Sequence, residues 1–172
     1  GFSQTLAGIT NSNGALHITN SNSVASSTLT LDTTADRSNF SLVGLTTIED
    51  GAGQVSLVKA GSFTQTLAGI HTYTGATTVS AGTLLINGSL GATNVTVNAG
   101  AFGGTGTVGG SLDLAGGSLH VADLLNALDV AGTVTIYSGF GVGDLAGLDW
   151  GSVTNGTYTL INGTLGSGVF DA

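Results

Sequence analysis

Apolar and polar residues alternate along most of the chain, in runs of three to five residues. Leu29-Thr30-Leu31, Val95-Thr96-Val97 and Val134-Thr135-Ile136 each place apolar side chains at positions i and i+2, with a hydroxyl side chain between them. This period of two predicts β-strands with one buried and one exposed face. Six apolar residues should therefore point inward: Leu84, Ile86, Val95, Val97, Leu112 and Leu114. Three polar residues should point outward: Thr83, Thr96 and Asp113.

Short turns separate these strands at intervals of about six to eleven residues. Gly-Gly and Asn-Gly pairs such as Gly103-Gly104 and Asn87-Gly88 permit tight corners because these residues tolerate positive φ. Strands this short favour a solenoid over a sandwich or barrel, whose strands average about five or six residues. The only helix-like stretch is residues 121–128, for which we expect one turn at most. The pattern predicts an all-β chain of about seven or eight rungs, each of about 20–25 residues, in a rod about 35 Å long.

One segment is repeated within the chain. Residues 2–9 recur at 63–70 with seven of eight positions identical, at an offset of 61. Internal repetition is typical of stacked architectures. We therefore expect the N-terminal rung to resemble an internal one.

The composition excludes several functions. Of 172 residues only two are basic and ten are acidic, which gives a net charge of −8. A nucleic-acid interface needs several cations to neutralise phosphates, so we expect no nucleic-acid partner. With no cysteine, there is neither a disulfide framework nor a thiolate metal site. No apolar run approaches the roughly 20 residues of a transmembrane helix, so we expect no membrane insertion of this segment.

The low content of charged residues follows from the predicted architecture. Stacked rungs place equivalent outward side chains about 4.8 Å apart. Like charges at that spacing repel one another, whereas hydroxyl and amide side chains form ladders. The Thr, Ser and Asn residues between the apolar positions are therefore explained without a functional site.

Residues 58–86 carry a more specific pattern. Its parts are Lys59, a Gly-containing turn, the strand Thr66-Leu67, then Thr72-Tyr73-Thr74-Gly75, two Thr and a Val, and Ala81-Gly82-Thr83-Leu84. This segment resembles the autotransporter-associated β-strand repeat, also called the passenger-associated transport repeat. Two positions depart from the family pattern. His71 stands where Asn is usual, and Phe63 stands where Gly is common.

The resemblance implies a single-stranded right-handed parallel β-helix (β-solenoid), secreted and displayed on a bacterial surface. It implies nothing about catalysis, because the repeat is a scaffold that passengers of different activities contain. We expect one continuous solenoid over residues 1–172, with a degenerate preceding repeat at 1–57, the best-matching repeat at 58–110 and C-terminal rungs at 111–172. We also expect that the segment derives from a longer parent protein.

The three histidines are the candidates for a catalytic triad with Ser and Asp. The sequence has no Gly-x-Ser-x-Gly elbow to present a nucleophile. His120 follows Leu119 in an alternating strand and should point outward, and His71 should lie in a corner. We therefore interpret His17, His71 and His120 as surface or turn residues.

Acidic residues offer two further kinds of site. Calcium takes oxygen ligands, and the close acidic pairs are Asp32 with Asp36, Glu49 with Asp50, and Asp144 with Asp149. None fits an EF-hand loop or a calcium-binding nonapeptide, so we interpret these residues as caps of turn amides. A glycoside hydrolase needs two carboxylates on one face, for which Asp113 and Asp129 are the candidates. A lyase of acidic polysaccharides would need cations that this chain lacks.

Aromatic residues and glycosylation sequons give weak indications. Phe63, Phe102 and Phe140 should fill the interior or the corners, and Trp150 should cover the C-terminal end of the core. Asn-x-Ser/Thr occurs at Asn39, Asn87, Asn94, Asn155 and Asn162, as expected by chance in a chain rich in these residue types.

The sequence thus predicts a non-enzymatic extracellular structural module of a bacterial surface or matrix protein, serving as a scaffold, stalk or adhesive fibre. No catalytic, cofactor-binding or metal-binding residue is assigned. The alternative is a glycan-binding or glycan-hydrolysing β-helix passenger domain, so surface glycans are a second candidate partner. The expected main partner is a second copy, because open solenoid ends present unpaired backbone groups and can stack into filaments.

Overall fold

The computed structural model describes residues 3–9, 16–32, 40–42, 46–121, 124–148, 158–168 and 170–171. These residues form 21 β-strands and a single turn of 3-10 helix at Val142–Asp144. The strands are β1 (Gln4–Leu6), β2 (Leu16–Thr19), β3 (Ser27–Asp32), β4 (Phe40–Leu42), β5 (Thr46–Glu49), β6 (Val55–Ala60), β7 (Thr64–Leu67), β8 (Ile70–His71), β9 (Thr77–Val79), β10 (Thr83–Ile86), β11 (Ser89–Leu90), β12 (Val95–Val97), β13 (Ala101–Gly103), β14 (Thr107–Val108), β15 (Leu112–Leu114), β16 (Ser118–His120), β17 (Leu128–Ile136), β18 (Phe140–Gly141), β19 (Leu145–Ala146), β20 (Ile161–Ser167) and β21 (Phe170–Asp171).

The strands stack into a parallel β-helix with three faces. Face A consists of β1, β3, β6, β9, β12, β15, β17 and β20. Face B consists of β4, β7, β10, β13, β16 and β19. Face C consists of the pair β2–β5 and the stack of β8, β11 and β14 on the first half of β17. Neighbouring strands on each face are parallel, as required when each coil of the chain lies on the previous one. The predicted all-β parallel β-helix is confirmed.

Each rung follows the order face A, face B, face C. The second rung is β3, β4 and β5, and the third is β6, β7 and β8. Eight strands stack on face A, in agreement with the predicted seven or eight rungs. The internal boundaries proposed at residues 57 and 110 stay predictions.

Rungs at the centre of the molecule are shorter than predicted. Successive partners on face B are Thr64, Thr83, Ala101 and Ser118, so each central rung contains fewer than 20 residues. The predicted rung length of about 20–25 residues is therefore wrong for the central rungs. Towards the N terminus, Gln4 pairs with Leu29 and Leu29 with Leu57, so those rungs reach or exceed the upper limit. The central rungs are short because their strands hold only two to four residues and their corners are equally brief.

The interior is built from rows of apolar side chains at equivalent positions of successive rungs. The six residues predicted to point inward are all buried, and Thr83, Thr96 and Asp113 are partly exposed on the outer surface. Burial of one Leu or Val side chain contributes about 2 kcal/mol. Because every rung adds several such residues, the stack has one continuous core along its axis. Phe102 and Phe140 are buried within it, and Phe63 is half-buried at a corner, as predicted.

Hydroxyl side chains follow one another along the outside of face A. The aligned positions are Thr30, Val58, Thr78, Thr96, Asp113 and Thr135, so four of the six carry a hydroxyl group. A neighbouring column contains hydrogen bonds along the stack, since Ser111 Oγ accepts from the Thr133 amide over 3.1 Å. This arrangement agrees with the interpretation that the low charge follows from the architecture.

The repeated segment does not occupy equivalent places in the fold. Gln4–Leu6 forms β1 on face A, whereas Thr64–Leu67 forms β7 on face B. The expectation that the N-terminal rung resembles the internal one is therefore wrong at this point. The two copies also differ in burial, since all three residues of β1 are exposed whereas Gln65 and Leu67 of β7 are buried. In the helix-like stretch, residues 124–126 form a bend, and residues 122 and 123 lie outside the described residues.

Candidate functional site

The corner between faces A and B is held by a buried lysine. Lys59 is the last inward-facing residue of the alternating strand β6, and its side chain is fully buried. Its ammonium donates to the carbonyl oxygens of Ala60 (2.5 Å) and Gly61 (3.0 Å) in its own rung. It also donates to the Ala81 carbonyl oxygen of the next rung, over 3.3 Å. Lys59 therefore joins two successive rungs.

Burial changes the acidity of this lysine. Desolvation lowers the pKa of the Lys59 ammonium to about 8, and the nearby Asp32 carboxylate opposes that shift. The three carbonyl oxygens replace the water that the ammonium loses. The site stabilises the corner and does not present the amine to solvent.

Two glycines lie where no side chain fits. Gly82 has a φ of +63°, and a Cβ there would lie 2.4 Å from the Gly61 carbonyl oxygen and 2.7 Å from Lys59 Nζ. A Cβ on Gly75 would lie 2.2 Å from the Val55 carbonyl oxygen. Glycine at these positions lets the backbone of one rung rest directly on the backbone of another.

A buried chain of hydroxyl groups holds the corner between faces C and A. The Tyr73 hydroxyl lies 2.7 Å from Thr77 Oγ1, which lies 3.0 Å from Thr93 Oγ1. The Thr93 hydroxyl also contacts the Gly75 carbonyl oxygen at 2.6 Å. Burial raises the pKa of the Tyr73 phenol far above its usual range. The chain satisfies polar groups that would otherwise be costly inside the core.

Asp50 belongs to the preceding rung and stabilises the same corner through hydrogen bonds. Its Oδ1 accepts a hydrogen bond from the Val55 amide (2.7 Å), and its Oδ2 accepts from the Thr74 amide (3.0 Å) and hydroxyl (2.6 Å). The carboxylate thus connects the end of the second rung with both ends of the third. This use as a cap fits the interpretation given to Asp50, whereas Glu49 contacts His17.

His71 is a core residue, so the prediction of a surface or turn position is wrong for it. The side chain is fully buried on β8, in a row with Leu90, Val108 and Val130. Its Nδ1 accepts a hydrogen bond from the Ile48 amide over 3.1 Å, and its Nε2 is buried without a partner. Burial lowers the pKa of the imidazole to about 4. The inward position follows from the alternation that buries residues 65, 67, 69 and 71.

The comparison with family models finds one match, and it covers the segment just described. Residues 57–86 match the passenger-associated-transport-repeat model. This segment is a passenger-associated transport repeat. No curated protein and no solved structure matches the chain.

The family of the repeat indicates where the protein is located. Its family belongs to the passenger domains of autotransporters, which indicates a surface or extracellular location. The match covers 30 of the 172 residues, so it characterises the third rung and part of the fourth. The residues that carry the repeat pattern are those that hold the corners: Lys59, Tyr73, Thr74, Gly75 and Gly82.

The other two histidines lie outside the repeat and far apart in the stack. His17 is exposed on β2, and its Nδ1 lies 3.1 Å from Glu49 Oε1. His120 occupies an outward position on β16, as predicted, but is half-buried, with Nδ1 enclosed without a partner. A Cβ on Gly147 would lie 2.6 Å from the His120 ring, so the segment after β19 covers it. Desolvation lowers the pKa of His120, against a smaller backbone contribution.

The remaining candidate carboxylates are dispersed. Asp36 and Asp149 lie outside the described residues. Asp144 accepts a hydrogen bond from the Gly141 amide (2.9 Å), and this bond, followed by one from Tyr137, lowers the pKa of the carboxyl group. No group of three His, Cys, Asp or Glu residues able to hold a metal ion occurs in the part of the chain that the structure describes.

The two aspartates proposed for glycan hydrolysis are not brought together. Asp113 pairs with Thr135 on face A, whereas Asp129 pairs with Thr107 on face C and accepts a hydrogen bond from Asn162 over 2.9 Å. Between Asp129 and Thr135, β17 passes from face C to face A, so the two carboxylates belong to different faces of the stack. A glycosidase needs its two carboxylates on one face, about 5–9.5 Å apart.

A cavity of about 220 Å³ opens beside Asn20, between β2, β3 and the turn that joins them. Among the described residues that line it, none carries a charged or aromatic side chain. The Asn20 amide group donates to the carbonyl oxygens of Ala25 (2.7 Å) and Gln54 (3.1 Å), so the buried polar group is engaged by the backbone. Among the described lining residues, there is no acidic, basic or histidine side chain to act as a general acid or base.

Three of the sequons lie in described segments. Asn87, Asn94 and Asn162 are exposed, whereas Asn39, Asn155 and Trp150 lie outside the described residues. The part of the chain that the structure describes contains no helix long and apolar enough to cross a membrane.

Proposed function

We propose that this chain is a non-enzymatic structural module of a bacterial surface or matrix protein, acting as a scaffold, stalk or adhesive fibre. One observation carries the proposal. The polar side chains of the repeat, Lys59, Tyr73 and Thr74, direct their hydrogen bonds to neighbouring rungs and corners. Groups used in this way supply cohesion along the stack and are not available to a substrate.

A screen for turnover of neutral polysaccharides tests the proposal. The wild-type chain is compared with Asp113→Asn and Asp129→Asn, and we expect no hydrolysis by any of the three. Turnover by the wild type that either substitution abolishes would show that the chain is a glycoside hydrolase.

Glycan binding without hydrolysis is the second reading to be tested. On a glycan array we expect no specific ligand for the wild-type chain. A specific hit that is lost in Trp150→Ala and retained in Phe63→Leu would instead identify a binding module, because aromatic side chains are the usual platforms for sugar rings.

We further propose that copies of the chain associate end to end. Among the described residues, β1 pairs only with β3 and β20 only with β17. Each strand therefore has a second edge able to accept a strand of another copy. Such a contact is heterologous and does not close, so it produces filaments.

Electron microscopy and sedimentation of the wild-type chain test this association. Filaments are expected for the wild type and for Thr5→Ala on β1. Thr5→Pro removes a backbone N–H from that strand and should reduce filament growth. A wild-type chain that remains monomeric at high concentration, with no filaments on the grid, would refute the proposal.

A further inference from the structure

Among the described residues, the ladder of backbone hydrogen bonds on face C is interrupted between β5 and β8. Strands β2 and β5 form a sheet of their own, and the sheet with β8 begins again one rung later. The Ile48 carbonyl oxygen accepts from the Thr72 amide over 2.9 Å, as in a regular parallel ladder. The Ile48 amide, however, donates to the imidazole Nδ1 of His71 over 3.1 Å. A side chain thus takes the place of a backbone carbonyl at the junction of the second and third rungs.

The geometry fixes the protonation state that this junction needs. Nδ1 must be unprotonated to accept the Ile48 amide, so the neutral ring carries its proton on Nε2. That nitrogen is buried without a partner. Protonation would make Nδ1 a donor that faces the donor N–H of Ile48, so their hydrogen bond would be lost. It would also place a positive charge among the buried side chains of Ile48, Leu90 and Val108.

We propose that His71 makes the junction between β5 and β8 an acid-released joint, at which face C of the first two rungs separates from the third rung when the imidazole is protonated. The ladders β3–β6 and β4–β7 remain on the other two faces. Acid therefore opens one side of the stack and leaves the rungs connected. The direction follows from burial, which lowers the pKa of His71 to about 4.

The ionisable groups around the joint do not compensate the charge. From β5 and the turn after it come Glu49, which pairs with His17 of β2, and Asp50, which accepts from the Val55 and Thr74 amides. The corner after β8 contributes the neutral phenol of Tyr73, and β11 contributes no ionisable residue. Lys59 of face A is itself cationic in acid. Within the described chain, the charged imidazole has no hydrogen-bonded counter-ion.

Hydrogen exchange measured from pH 6 to pH 3, corrected for the intrinsic exchange rate, tests the joint. In the wild type we expect the protection of the Ile48, Thr72 and Tyr73 amides to fall about a hundredfold from pH 6 to pH 3. Most of the fall should lie above pH 4, because the opened imidazole binds its proton from about pH 6.5 and the buried one only from about pH 4. The amides of β10 and β12 should keep their protection. His71→Asn supplies a carbonyl acceptor that does not titrate, so its protection at Ile48 should not depend on pH.

Two further measurements decide the outcome. Asp50→Asn retains His71 and should retain the acid opening. This result would show that the imidazole, and not the neighbouring carboxylate, causes the opening. In the wild type, the NMR titration of the His71 ring should run parallel to the chemical shift of the Ile48 amide. The proposal is overturned if the Ile48 amide stays protected at pH 3, if His71→Asn opens at the same pH as the wild type, or if His71 titrates near pH 6.5 with the Ile48 amide still protected.

Discussion

Lys59 and Ala81 belong to successive rungs, and the ammonium of the first donates a hydrogen bond to the carbonyl oxygen of the second over 3.3 Å. The same ammonium donates to Ala60 and Gly61 in its own corner. A single buried side chain thus connects the place where one rung leaves face A with the place where the next rung does so. The lysine of the repeat thus links two successive rungs through its hydrogen bonds.

Replacement of Lys59 by Met keeps most of the buried volume and removes the donor. Three carbonyl oxygens then lose their bonds to the ammonium, which costs about 2–4 kcal/mol in the free energy of unfolding. Urea denaturation measures the loss. Thr96→Val, on the outer surface of the same face, should change stability by no more than about 0.5 kcal/mol. Equal effects of the two substitutions would contradict the role given to Lys59.

The stability of the wild type should depend on pH through the same residue. The folded state binds the Lys59 proton less tightly than the unfolded state, with a pKa of about 8 against 10.5. The unfolded chain therefore holds more protons between these values, so the free energy of unfolding rises as pH increases from about 8. Urea titrations at pH 7 and pH 9.5 should show this rise in the wild type, whereas in Lys59→Met it should be absent.

Gly82→Ala tests the close approach of rungs at this corner. The positive φ disfavours alanine, and its Cβ would lie 2.4 Å from the Gly61 carbonyl oxygen. We expect a loss of about 2–4 kcal/mol. Gly143→Ala is the matched control, because a Cβ there meets nothing within 4 Å, and it should stay within about 0.5 kcal/mol of the wild type. Wild-type stability of Gly82→Ala in thermal or urea unfolding would show that the corner is looser than described.

Tyr73→Phe removes one member of the buried hydroxyl chain. Thr77 loses its contact with the phenol at 2.7 Å and keeps the one with Thr93. The expected cost is about 1–2 kcal/mol. Tyr137→Phe changes a hydroxyl near the surface, where solvent replaces the partner, and should cost less than about 0.5 kcal/mol. If both variants unfold at the same urea concentration, the Tyr73 hydroxyl contributes no more to stability than the hydroxyl of Tyr137 near the surface.

The alternation of apolar and polar residues predicts most of the inward-facing positions. Followed through the corners between strands, it also predicts the buried polar residues. The inward positions Val95, Val97 and Leu112 follow from it directly. The same phase runs through Val55, Leu57 and Lys59, and through Gln65, Leu67 and His71, which places three polar side chains in the core. The prediction from sequence is wrong at His71 because β8 has only two residues, so the inward phase is visible only when it is followed through the preceding corner.

The contacts between rungs could not be predicted in this way. His71 meets Ile48, and Asp50 meets Thr74, across separations of 23 and 24 residues. Those separations depend on the length of each rung, and the rungs near the N terminus are longer than the central ones. Local sequence fixes the face of a side chain within a strand, whereas its neighbours depend on the register of the whole stack. For the same reason the two copies of the duplicated segment lie on different faces, β1 on face A and β7 on face B.

The central claim is that the repeat stacks rung upon rung in parallel register, and the absence of cysteine from the chain allows a direct test. Thr78 and Thr96 are partners on the outside of face A, and Thr135 lies two rungs beyond Thr96 in the same column. Pyrene attached to Thr78→Cys/Thr96→Cys, about 4.8 Å apart, should give strong excimer fluorescence, whereas Thr78→Cys/Thr135→Cys, about 14 Å apart, should give little. Equal excimer emission from the two pairs, or none from the first, would contradict the parallel stack.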